Sequence, residues 1–111
     1  MRPEIRKYLY DIEKACEAIL LFVRGRTLED YEKDLLLQSG VERQFIIIGE
    51  ALNKAVHEEP ALQEHISCLR EIINLRNVIV HGYAVVQNKT IWGIVEEDLL
   101  PLYHEVKKLL E

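Results

Sequence analysis

The chain is short of most features that announce a function directly. Its only cysteines, Cys16 and Cys68, stand far apart in apolar surroundings with no CxxC spacing. That removes a disulfide scaffold, a zinc ribbon and a dithiol redox motif, and leaves two reduced, buried thiols as the reading. The four histidines, His57, His65, His81 and His104, are scattered and form no HExxH or other paired ligand spacing, so neither metal nor cofactor is expected. Positive charge is also scarce: 14 Lys and Arg against 19 Asp and Glu give a net charge of −5. A protein that coats nucleic acid nonspecifically needs many more cations. A few cations gathered in one cleft are still compatible with this balance, and Arg43, Arg70 and Arg76 are the candidates. No apolar run approaches the length of a membrane span, and the start, MRPEIRKYLYDIEKA, has no signal-peptide core, so a cytoplasmic protein is expected. Repeats, low-complexity tracts and linkers are lacking too, and 111 residues suit one domain over 1–111.

What the chain has is helical periodicity. With 49% apolar and 30% charged residues it can build a core and keep a polar surface. Ile5, Leu9, Ile12, Cys16, Ile19, Leu20 and Val23 form an apolar stripe from Pro3 to about Arg24, closed by Gly25. Thr27 and Asp30 read as a capping box opening a short second helix, and Leu35 to about His57 reads as a long third. Pro60 begins a connection, and Ser67 or Cys68 opens a fourth helix that runs to Gly82. Asn88 reads as the cap of a last helix, broken near Pro101. The expected fold is all-α, an up-and-down bundle of five or six helices.

Within the third helix, Phe45, Ile46, Ile47 and Ile48 are apolar all the way round. A helix of that kind needs cover on both faces. The bundle supplies one and a second protomer the other, with Gly49 permitting close backbone approach. Small domains also gain burial by pairing. A homodimer is therefore expected.

Glu50, Arg76, Asn77, His81 and Tyr83 stand out as polar groups among apolar neighbours, which need partners. At about 100° per residue Asn77 and His81 share a helix face, whereas Arg76 and His81 lie about 140° apart. One helix cannot assemble them alone, but two such helices meeting at a dimer axis can. The chemistry that uses these groups is RNA cleavage by the adjacent 2′-hydroxyl. Histidine, with an unperturbed pKa of about 6.5, serves as base or acid. A planar guanidinium clamps phosphate oxygens, and an asparagine orients the imidazole or a phosphate oxygen. Two readings stay open here: this site, or a structural Arg76–Glu50 salt bridge with His81 merely ending its helix. Trp92 and the other tyrosines read as core packing.

Two segments, Val41-Glu-Arg-Gln-Phe-Ile-Ile-Ile-Gly-Glu-Ala51 and Arg76 to Tyr83 continuing through Thr90-Ile-Trp-Gly-Ile-Val95, resemble the HepT toxins of the HEPN superfamily. The family signature is an arginine, a polar residue, three more residues, a histidine, and a tyrosine two positions on. Arg76, Asn77, His81 and Tyr83 match it. The chain departs from the pattern at Gly40, where a better helix former is usual, and at Cys68-Leu-Arg, where relatives often carry a tryptophan. The resemblance implies a homodimeric HEPN-type bundle acting as a metal-independent endoribonuclease, the toxin of a type II toxin–antitoxin pair. Its partner would be a minimal nucleotidyltransferase, MNT, which inactivates it by moving adenylate from ATP onto Tyr83. The alternative from another class is a non-catalytic helical partner that binds nucleotide or docks substrate for a separate nucleotidyltransferase.

Overall fold

A computed structural model describes residues 1–82 and 87–111. Six α-helices appear there: α1 (Pro3–Val23), α2 (Leu28–Lys33), α3 (Leu35–Glu58), α4 (Leu69–His81), α5 (Asn88–Glu97) and α6 (Leu99–Leu110). A 3₁₀ turn, Pro60–His65, joins α3 to α4, and no strand occurs among the described residues. The all-α expectation holds.

Side-chain and backbone contacts fix how the long helices run. Arg2 donates to the Glu58 carbonyl at one end of α1, and Phe22 lies against Gly40 at the other, so α1 and α3 are antiparallel. Arg6 reaches the Leu110 carbonyl, and the Tyr103 hydroxyl donates to Glu17 at 2.8 Å, so α6 is antiparallel to α1 on its other side. Gly40, an unusual choice inside a helix, has a reason here: a Cβ there would stand 3.3 Å from the Phe22 ring. The core between these helices is mainly aliphatic, with Ile5, Leu9, Ile12, Ile19, Ile48, Leu52, Leu99 and Leu102 buried alongside Phe45. Burial of side chains this size contributes roughly 1.5–3 kcal/mol each relative to exposure. Cys16 and Cys68 are buried, unpaired thiols, each pushed up to about 12 chiefly by desolvation, so thiolate chemistry is suppressed at both.

The capping box forms as read. The Thr27 hydroxyl accepts from the Asp30 N–H at 3.1 Å, and the Thr27 N–H donates to the Asp30 carboxylate at 3.0 Å. This hydrogen bond from the Thr27 backbone holds the Asp30 carboxyl below its usual range. The six-residue α2 is then pinned by Tyr31, wholly buried and 5.3 Å centroid to centroid from Trp92 on α5. Aromatic packing is thus right for Tyr31 and Trp92. It is wrong for Tyr10, which is 51% exposed, whereas Tyr8 and Tyr103 are half-buried against the core, Tyr103 also donating its hydroxyl to Glu17.

Two boundaries differ from expectation. Gln87, not Asn88, is the N-cap of α5, and Asn88 is its first helical residue. The break in the last helical stretch falls at Asp98, three residues before Pro101. A proline ring clashes with the carbonyl four residues back, here that of Glu97, so the helix must end before the proline arrives. Pro101 then sits in the first turn of α6, where its missing N–H costs nothing. The Pro60 connection is likewise a 3₁₀ turn, with proline at its start and Leu62 buried beneath it.

Candidate functional site

The helix that carries most of the singled-out residues is an edge element. α4 packs chiefly against α3. Its core residues are Ile72 and Leu75, while Val78 and Val80 remain 38% and 47% exposed. The two helices are antiparallel, Val56 lying near Leu69 and Ile73 and Gly49 near Arg76, and they come into close contact at Gly49. A Cβ added there would overlap Arg76 Cβ and stand 2.7 Å from Arg76 Cγ. This corrects the expectation that Gly49 serves contact with a second protomer. The close approach is within the chain, because a buried glycine is what lets the Arg76 stem lie across α3.

Held in this way, the guanidinium has two neighbours. Its Nη1 donates to Asn77 Oδ1 at 2.9 Å, and its Nη2 to Glu50 Oε1 at 3.4 Å. The salt bridge to Glu50 therefore exists. The side chains of Arg76 and Glu50 are 26% and 44% exposed, however, and a partly solvated pair of this length contributes only about 0–1 kcal/mol. It orients the arginine without locking it away. Arg76 Nε is buried and has no hydrogen-bond partner among the described residues.

His81 is the last residue of α4 and is exposed. Gly82 follows in the left-handed region at φ 65°, and its N–H donates to the Val78 carbonyl at 3.1 Å, so the helix ends there as expected. The structure thus gathers Arg76, Asn77 and Glu50, and sets His81 one turn beyond Asn77 on the same face. Tyr83 lies outside the described residues.

Of the other two arginines, Arg43 is exposed on α3. Arg70 is exposed at the opposite end of α4 from His81, in a groove of about 470 Å³ shared with Gln63, Ser67, Glu71 and Asn74. Reading the sequence missed this groove. The sequence marked Arg70 only as a candidate cation, and the spacing of Arg70, Asn74, Asn77 and His81 resembles any solvated helix face. A second hollow, about 410 Å³, lies between Phe22, Leu36, Leu37 and Gly40. It is mainly apolar and holds the Arg26–Asp34 pair. Among the described residues no three His, Cys, Asp or Glu side chains converge as metal ligands, and no helix is long and apolar enough to cross a membrane.

Fold and site together define a small all-helical domain with an arginine, an asparagine and a histidine presented along an edge helix. The sequence pattern of the "Ribonuclease HepT-like" family matches residues 12–109. The chain is 33% identical over 109 residues to the "Probable ribonuclease HepT" of Thermococcus cleftensis, covering 98% of each. It is 30% identical over 106 residues to a "Putative RNase" of Caldanaerobacter subterraneus subsp. tengcongensis, covering 96% of this chain and 94% of that one. A "Gamma-glutamylcyclotransferase and putative RNase" of Methanocaldococcus jannaschii is 29% identical over 111 residues, and the chain spans only 50% of its length. No solved structure matches the chain significantly. The chain belongs to the HepT-like ribonuclease family of the HEPN superfamily.

Proposed function

We propose that the chain is a single-domain, metal-independent endoribonuclease that cuts RNA at a composite cleft between two protomers. The observation that carries this reading is the Arg76–Asn77 pair on an exposed edge helix with His81 one turn away, in a chain of the HepT-like family. One imidazole, His81 of either protomer, takes the proton of the 2′-hydroxyl. The oxygen attacks the adjacent phosphorus, and the second imidazole protonates the departing 5′-oxygen, giving a 2′,3′-cyclic phosphate and a free 5′-hydroxyl. Arg76, with donors beyond the two already engaged, neutralises the phosphorane charge. Asn77 keeps the guanidinium aimed.

In the cell the enzyme acts in the cytoplasm as the toxin of a type II pair, restrained by an MNT-type nucleotidyltransferase that adenylylates Tyr83. The family match and the Arg76-to-Tyr83 signature support this role. The Glu50 ion pair and the net acidity support a second reading, a non-catalytic docking partner in which the arginine is only structural.

Incubation of the purified protein with RNA in EDTA separates the two. The wild type should cut and leave cyclic phosphate ends, while folded Arg76→Ala and His81→Ala proteins lose roughly 10²–10⁴-fold in rate. Intact RNA with the wild type, or full activity in His81→Ala, overturns the catalytic reading.

A further inference from the structure

The groove at the far end of α4 is aligned with Asn77 and His81 of the proposed site, while Arg76 lies on the flank of the helix that faces α3. At about 100° per residue, Arg70, Asn74, Asn77 and His81 fall within an arc of about 60° on one helix face. They extend along about 16 Å of axis at 1.5 Å per residue. Arg70 is exposed, and no carboxylate lies within ion-pair distance of it among the described residues. Most of the other arginines are engaged: Arg2 and Arg6 with carbonyls, Arg26 with Asp34, Arg76 with Glu50. Glu71 also lines the groove, but its carboxylate forms no ion pair with Arg70. Gln63 and Asn74 add neutral donors and acceptors beside the free guanidinium. An unpaired cation beside two amides and a hydroxyl, with the one lining carboxylate outside ion-pair reach, suits a backbone phosphate and sugar edge.

Resting on the ribonuclease reading above, we propose that Arg70 and Asn74 form a substrate subsite, holding a backbone phosphate of single-stranded RNA a few nucleotides from the bond that is cut. The substrate is a single strand because attack by the 2′-hydroxyl needs a nucleotide free to swing into line with its leaving group, and a single helix face offers a track rather than a groove-spanning surface. It also explains how an acidic protein can hold RNA: affinity comes from a few aligned contacts on α4 instead of overall charge.

Two RNA probes test this, a dinucleotide whose only phosphate is the scissile one and a ten-nucleotide strand. In Arg70→Ala, the ratio of kcat/KM for the long RNA to that for the dinucleotide should fall about fivefold, the size of one exposed charge contact. Arg70→Lys should recover part of the loss, and Arg24→Ala, at the end of α1, should leave the ratio as in wild type. In a His81→Ala background, Arg70→Ala should weaken binding of the ten-nucleotide strand and reduce the slope of log affinity against log salt by about 0.7. A ratio unchanged by Arg70→Ala in an enzyme that cuts RNA overturns the subsite and leaves the ribonuclease reading standing. A protein that cuts nothing yet binds the strand through Arg70 keeps the subsite and overturns the catalytic reading. Binding unaffected by Arg70→Ala overturns the subsite in either case.

Discussion

Gly49 and Arg76 lie so close across the α3–α4 contact that a Cβ on one would overlap the Cβ of the other. The arginine's aim and the seating of α4 therefore depend on a single missing side chain.

Gly49→Ala should push α4 outward. Overpacking of this kind costs about 1–3 kcal/mol, and denaturant unfolding should show that loss with an unchanged m-value. RNA cleavage should fall even at temperatures where the variant is fully folded, because the guanidinium moves with α4. A variant as stable and active as wild type would mean that the helices slide apart without cost.

The dimer expectation now rests on particular side chains. Phe45 and Ile48 are fully buried by the bundle, whereas Ile46 is left partly exposed and Val80 is 47% exposed on the neighbouring helix. Sedimentation should find a dimer at micromolar concentration, and Ile46→Glu with Val80→Glu should weaken it at least about tenfold, as expected for lost apolar burial. A wild-type monomer would remove the shared-cleft mechanism.

Co-expression with a cognate nucleotidyltransferase should place adenylate on Tyr83. The phenol oxygen attacks the α-phosphorus of ATP, pyrophosphate leaves, and the hydroxyl proton is released. The added phosphate anion would compete for Arg76. Tyr83→Phe should stay active and escape inactivation, and mass spectrometry finding the group on Tyr31 or Tyr103 would refute the assignment. The burial of Tyr31 already argues against that site.

Glu42 offers a test by pH. Burial raises its carboxyl above the usual value in the folded chain, so the folded state holds its proton more tightly than the unfolded one does. Stability from this group is present below the unfolded pKa of about 4.3 and is lost as pH rises through the higher folded value. Glu42→Gln should therefore melt at higher temperature than wild type at pH 7, and the gap should close toward pH 4. A gap that does not change with pH would assign the effect to packing instead.

Much of the fold could be read locally, because its helix ends are marked by residues whose chemistry acts at short range. Thr27 with Asp30 and Gly82 did what their types dictate. The misplaced boundaries also have local causes: Pro101 acts on the residue four positions earlier, and Gln87 caps by backbone geometry without a side-chain bond. The partner of Gly49 was not legible, since which helix a glycine faces depends on the register between segments far apart in sequence. The Arg70–Asn74 groove was hidden for another reason. A polar helix face looks the same in sequence whether water or a ligand covers it.

The contact between Tyr31 and Trp92 makes the chain its own optical instrument. Trp92 is the single tryptophan, 6% exposed, and its ring lies against the residue that holds the short α2 in place. Its emission thus reports the docking of α2 on α5. It should shift when that corner opens, without any added dye. Local loosening of the bundle and occupancy of the cleft can accordingly be followed in one cuvette, the first by intrinsic fluorescence and the second by a labelled RNA.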